Sequence, residues 1–300
     1  MTDIKKKAAG VPLIILAGIL WGTMGLFVRR LTQYGFSSIQ ITSMRITVGA
    51  LVFCIFMLCT DRKGFRLAVK DIPLFLGLGI CSVLFFTVCY FTAISMMPLS
   101  IAAILLYTSP IWVMLMSALV FRERVTARKL AALVLAFGGC VLVSGLNQGG
   151  LSITGLLVGL GAGFGYGLYS ILGTIALRKY SSLTVTTYTF IIAAAGSWFI
   201  AKPAQMLSVI SASSGYSLLL LIIACALITA VAPYSLYTKG LQSVEASRAA
   251  ILATVEPMVA TIIGIMVFAE PLTLTAAVGI VLILAAIVIL NTKKADSAGK

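Results

Sequence analysis

Residues 100–126 read SIAAILLYTSPIWVMLMSALVFRERVT, and residues 247–273 read SRAAILATVEPMVATIIGIMVFAEPLT. The second stretch copies the first. Without a gap, at a shift of 147 positions, the match runs from Tyr90–Leu146 to Tyr237–Lys293. Ser100 falls on Ser247, Ala102-Ala103-Ile104-Leu105 on Ala249-Ala250-Ile251-Leu252, and Pro110 on Pro257. Phe121 falls on Phe268, Glu123 on Glu270 and Thr126 on Thr273. Each copy carries a proline inside an apolar segment. Duplicated membrane spans with matching interruptions are the usual build of secondary transporters.

Outward from the repeat, the whole chain reads as membrane-embedded. Of its 300 residues, 61% are hydrophobic and 10% charged, against about 25% charged in a soluble domain. Ten apolar runs are each long enough to cross a bilayer as a helix: 11–31, 38–59, 72–96, 99–121, 125–146, 152–177, 182–200, 216–239, 246–268 and 272–291. The longest polar intervals, near 60–71 and 201–215, have no room for a soluble domain. The fold class expected is an all-α membrane protein of about ten transmembrane helices in two inverted five-helix repeats, 1–146 and 147–300. Lys5-Lys6-Lys7 before the first run resembles a signal-peptide start. No small-residue cleavage site follows, so 11–31 reads as a retained helix.

A net charge of +14 in a soluble chain would point to nucleic acid. Here its distribution sets orientation instead. With the N-terminus in the cytoplasm, the inner segments hold 18 of the 22 Lys and Arg residues. The outer segments hold Arg29, Arg30 and Lys202, and Arg45 lies within a span. That asymmetry places both termini in the cytoplasm. Five spans per half is an odd number, so the halves must be inverted. The linker Arg122-Glu123-Arg124-Val125-Thr126 then faces inward and Ala269-Glu270-Pro271-Leu272-Thr273 outward. Arginines occur only in the inward copy. The first spans match more loosely, with Gly18, Trp21 and Gly22 against Gly163, Tyr166 and Gly167.

Gly155, Gly159, Gly163 and Gly167 form a four-residue stripe. Such a stripe lets a second backbone approach. Tight packing within the subunit is expected, with a homodimer contact or a moving interface as the alternatives.

The candidate functional residues are few. There is no histidine, which removes His metal sites, triads and relays. Cys54, Cys59, Cys81, Cys89, Cys140 and Cys225 all fall in spans and form no Cys-x-x-Cys pair. They read as small apolar residues. No phosphate loop, His-Glu-x-x-His or Gly-x-Ser-x-Gly occurs. Seven of the eight acidic residues lie at or beyond helix ends. Glu256 alone lies deep, about eight to ten residues, or roughly 12–15 Å, from the cytoplasmic end of its span. An ionisable group there costs about 2.5–3.5 kcal/mol on insertion scales, so it should face a cavity or a partner. The bland alternative is a hydrogen-bonded structural Glu.

Pro257 follows Glu256 and should free the carbonyl of Ala253; Ser109-Pro110 should do the same for Leu106. Pro233 adds a kink in the eighth span without a repeat counterpart. Arg45 either snorkels outward or serves as a cavity cation, pairing with Glu256 or a substrate carboxylate. Among the aromatics, Tyr34, Trp198 and Tyr216 read as interface anchors. Trp21, Tyr90, Tyr107, Trp112, Tyr166, Tyr169, Tyr234 and Tyr237 lie further inside, where hydroxyls need partners. The candidate cavity comprises Trp21, Arg45, Tyr90, Tyr107, Ser109, Tyr166, Tyr169, Tyr237, Thr254 and Glu256, with kinks at Pro110, Pro233 and Pro257.

These features resemble the drug/metabolite transporter superfamily, specifically its EamA family. The carrying residues are Leu99–Leu146 with Pro110 and the Arg122–Thr126 linker, and Ser247–Leu290 with Val255-Glu256-Pro257 and the Ala269–Thr273 linker. Trp21-Gly22 and Arg45 also look like family features. The resemblance implies ten helices in the plasma membrane, both termini inside, and a cavity lined by spans 1–4 and 6–9 with spans 5 and 10 peripheral. It implies a secondary carrier without cofactor or metal, its partners a small-molecule substrate and the lipid bilayer, not nucleic acid. It is poor on substrate, because the family handles amino acids, other metabolites and drugs. Proton-driven metabolite efflux is the leading expectation. A carrier of a cationic amine, importing or exporting, is the alternative reading. A channel is less consistent with paired kinks, and an intramembrane enzyme lacks a catalytic group set.

Overall fold

The computed structural model describes residues 2–145, 153–212 and 216–292, with side chains from residue 9 onward. Lys293, Lys294, Asp296, the repeat boundary at 146–147 and the side chains of Lys5–Lys7 lie outside the described residues. The described residues are helical, with no strand among them. Among the described residues, nine helices are long and apolar enough to cross a membrane: α1 (Ala9–Gln33), α2 (Ser38–Thr60), α3 (Val69–Met96), α4 (Leu99–Phe121), α5 (Ala127–Ser144), α6 (Ile153–Ala176), α8 (Tyr216–Leu241), α9 (Ala246–Phe268) and α10 (Leu274–Asn291). Between α6 and α8 lies α7 (Ser182–Trp198). It is followed by a short helix, Pro203–Ala212, bent from it by 91°. The chain is thus a multi-pass membrane protein, with nine to ten spans among the described residues.

The packing of these helices repeats under exchange of the halves. Helix α1 packs on the second half of α8, and α6 on α3; α1 packs on α9, and α6 on α4. Helices α2 and α7 pack on each other, as do α5 and α10. This is the pattern of two five-helix units related by a pseudo-two-fold axis. Helices α5 and α10 approach closely because Gly139 lies against the Gly279 carbonyl and Gly279 against that of Gly139; a Cβ at either would sit 2.7 Å from the oxygen.

The linkers that follow the repeated helices have one local structure. Arg122 and Ala269 take left-handed φ values of 55° and 53°. The next amides, of Glu123 and Glu270, donate back to Ser117 O and Gly264 O, both at 3.2 Å. Both helices therefore end in the same C-terminal cap. Thr126 Oγ1 then accepts from Lys129 N and Thr273 Oγ1 from Ala276 N, both at 3.2 Å, starting α5 and α10. The threonines kept between the copies are helix N-caps.

Irregular backbone also recurs at matched positions. Helix α3 widens to π geometry over Gly77–Leu84 and α8 over Leu227–Val231. The second stretch is the repeat image of the end of the first. The eighth-span irregularity expected at Pro233 without a counterpart therefore has one, in a stretch with no proline. Widened turns need an extra residue in the turn, which a proline can cause but is not needed for. Helix α1 breaks at Thr23, whose Oγ1 donates to Leu20 O at 2.7 Å. That break has no proline to announce it.

Candidate substrate site

The two repeat-matched prolines each follow a break in the helix. Helix α4 stops at Leu106 and resumes at Ser109; α9 stops at Leu252 and resumes at Val255. The prolines stand in the first turn of the second segments, where a missing N–H costs nothing. The expected loose carbonyl at Ala253 is not loose. It accepts from Glu256 N at 3.0 Å, because the turn tightens across the break. Two threonines help close these turns. Thr108 Oγ1 donates to Leu105 O and Thr254 Oγ1 to Ile251 O, each at 2.6 Å.

Glycines on α6 and α1 bring neighbouring backbones onto the breaks. A Cβ on Gly163 would lie 2.6 Å from Leu105 O, and one on Gly167 3.1 Å from Ser109 O. Across the pseudo-axis, a Cβ on Gly18 would lie 3.0 Å from Ala253 O, and one on Gly22 2.7 Å from Glu256 O. Ser109 and Glu256 are repeat mates, so each half presents the same backbone cradle. One cradle holds a hydroxyl and the other a carboxylate. The glycine stripe thus packs inside the subunit, as expected for Gly163 and Gly167.

Glu256 stands in the first turn of the half-helix Val255–Phe268. The helix N-terminus there favours a negative charge by about 0.3–1 kcal/mol. Its Oε2 accepts from Tyr166 Oη at 3.0 Å. Tyr166 belongs to an aromatic cluster around Trp21, whose ring centre lies 6.1 Å from Tyr166 and 5.3 Å from Tyr234 and Tyr237. Two other tyrosines bond to neighbouring hydroxyls. Tyr169 Oη meets Thr238 Oγ1 at 2.6 Å and Tyr237 Oη meets Ser170 Oγ at 2.8 Å.

These side chains enclose a central cavity. Trp21, Ser109, Tyr166, Tyr169 and Tyr237 of the predicted set line it, with Ser82, Phe86, Gly167, Ser170, Tyr234 and Ala253. Its open volume is about 20 Å³, room for a water molecule and not for an organic solute. Tyr90, Tyr107, Thr254 and Glu256 are not among its lining residues; Thr254 turns back onto its own helix, and Glu256 reaches the cavity wall through Tyr166. Arg45 stands apart as well. It is 8% exposed, its Nη1 donates to Met24 Sδ at 2.6 Å, and its Nε has no partner. No ion pair joins Arg45 to Glu256 among the described residues. Ser82, Phe86 and Ser170 were missed from sequence because single hydroxyls and rings in apolar spans carry no periodic signal.

Both halves of the chain match the same family model. The EamA-like transporter family covers residues 8–145 and again 153–292. The chain belongs to the EamA-like transporter family. An uncharacterised transporter of Archaeoglobus fulgidus is 30% identical over 293 residues, covering 93% of this chain and 95% of that protein. A pseudopaline exporter of Pseudomonas aeruginosa is 29% identical over 175 residues, 58% of each chain. A Salmonella typhimurium protein described as an uncharacterised inner-membrane transporter is 24% identical over 285 residues, 93% of each. A crystal structure superposes with a TM-score of 0.76 at 18% identity, covering 95% of this chain and 96% of that one; that likeness concerns fold alone. In this EamA-family transporter, residues beside both helix breaks, Ser109 and Ala253, line the cavity, next to a carboxylate on a half-helix N-terminus and an aromatic wall.

Proposed function

We propose that this EamA-family transporter is a secondary carrier that moves a small organic metabolite by alternating access, with the substrate held where the two helix breaks meet. The observation that carries this reading is the pair of matched breaks, at 107–108 and 253–254, seated against glycines of the opposite half. A channel would need a continuous open path. A cavity of about 20 Å³ closed by rings favours a carrier that must change shape to admit its load. Glu256 is the coupling group in this reading. It stands half-buried at a helix N-terminus and accepts from the Tyr166 hydroxyl. A lone ionisable group inside a span suits proton exchange with a gradient. Similarity to a protein named as an exporter supports efflux. Both termini are assigned to the cytoplasm, on the Lys and Arg asymmetry.

A second reading is favoured by one feature, the lone deep carboxylate beside Trp21, Tyr166, Tyr234 and Tyr237. Carboxylate and ring faces together attract an organic cation. Purified protein in proteoliposomes, offered labelled amino acids, pseudopaline and organic amines with and without a pH gradient, tests both. The carrier reading expects saturable flux and accumulation with the gradient. Amine accumulation alone favours the second reading. Flux that never saturates and never accumulates contradicts both.

A further inference from the structure

Glu123 and Glu270 are repeat mates, as are Ser247 and Ser100, but the structure treats the two pairs differently. Glu123, at the end of α4, accepts a hydrogen bond from Ser247 at the start of α9. Lys129 braces this contact, 3.2 Å from Glu123 and 2.7 Å from Glu245. On the opposite face, Glu270 does not reach Ser100. It pairs instead with Arg29, whose guanidinium lies 4.0 Å over Phe268. The Ser100 hydroxyl is shut from solvent and has no partner. A buried hydroxyl without a partner is destabilising, and native structures seldom leave one unexplained.

Helix packing has the same asymmetry. The half of α9 that starts at Ala246 packs on α4 and α5 of the other unit and on α6 of its own. The repeat image of that half, Leu99–Leu106, packs on α5 of its own unit and α6 of the other, and makes no comparable packing on α9, α10 or α1. One face is closed and its mirror image is not.

We propose that Glu123–Ser247 and Glu270–Ser100 are two mirror-related latches, closed alternately in the transport cycle, and that this structure holds the first shut and the second open. Glu270 leaves Arg29 for Ser100 as Glu123 releases Ser247. The inference rests on the carrier reading above. The latches are unequal, because the positions matching Lys129 and Glu245 are Ala276 and Pro98. The first latch therefore has an ion-pair brace and the second has none, which biases the resting protein toward the state seen.

Cysteine pairs in a cysteine-free background test it. Glu123→Cys with Ser247→Cys should bridge readily under mild oxidant in the resting protein, and Ser100→Cys with Glu270→Cys only slowly. Lys129→Ala should raise bridging of the second pair roughly tenfold, the scale of losing a charged hydrogen bond. Ser247→Ala, which spares every ion pair, should also raise it. In protein carrying both pairs, each molecule should hold one bridge and never two. Two bridges in one molecule overturn the proposal. So does a first pair that fails to bridge, or a second pair unmoved by Lys129→Ala and Ser247→Ala in monodisperse protein. Wild-type flux is measured separately: no flux for any solute fails the carrier reading, whereas flux with coexisting bridges fails the latches alone.

Discussion

Glu256 gains meaning from its immediate partners. It shares a register position with Ser109, stands on a half-helix N-terminus, and its carboxylate accepts from Tyr166. A hydrogen bond to a charged group contributes about 1.5–3 kcal/mol. If Tyr166 positions the carboxylate, Tyr166→Phe should weaken half-saturation roughly ten- to hundredfold with little change in expression. Unchanged half-saturation and pH profile, measured by flux in proteoliposomes, would remove Tyr166 from the site. The depth of Glu256 was legible from sequence because one carboxylate in an apolar run is conspicuous. Its partner was not, since nothing in the sequence says which of several tyrosines faces it. Arg45 was equally visible, yet its contact with Met24 depends on the unannounced break in α1. Pairings of this kind are set by tertiary packing, not by local pattern.

At the scale of the helix, small residues decide how closely the halves meet. A methyl on Gly22 would sit 2.7 Å from Glu256 O and from Val259 Cβ, both fixed atoms. On Gly167 it would meet Val113 Cγ2 at 2.9 Å and Ser109 O at 3.1 Å, and on Gly138 nothing within 4 Å. Overpacking costs about 1–3 kcal/mol, while an exposed helical Gly→Ala change gains up to about 1 kcal/mol. Gly22→Ala should therefore lower the thermal midpoint in detergent most, Gly167→Ala less, and Gly138→Ala should hold or raise it. Equal midpoints for all three would contradict the close approach. The repeat and the glycine stripe foretold this packing. They did not foretell the exact break points, which fall ahead of the prolines because the turns are closed by Thr108 and Thr254. The matched π-helical turns of α3 and α8 were hidden for another reason. They belong to a helix–helix fit, and neither stretch itself contains a proline.

At the scale of the whole molecule, the account requires repeat-matched linkers to face opposite sides of the membrane. Val125 and Leu272 are repeat mates and are 53% and 56% exposed, so a cysteine at either is reachable. In right-side-out vesicles an impermeant thiol reagent should label Leu272→Cys and not Val125→Cys, with the reverse in inverted vesicles. Labelling of both from one side would contradict the inversion, and a swapped pattern would place the termini outside. Orientation is a reading from charge alone, whereas the fold itself was legible almost throughout. Ten apolar runs and a repeat with odd span number leave little freedom. The departures are a seventh span of 17 residues, Ser182–Trp198, and the bent helix after it. The most direct measurement of the central claim compares wild type with Glu256→Gln in proteoliposomes, using a substrate found by the flux screen. The variant should lose accumulation driven by a pH gradient while retaining exchange of labelled for unlabelled substrate. Normal pH-dependent accumulation by well-expressed Glu256→Gln protein would contradict the account and leave Glu256 a structural residue.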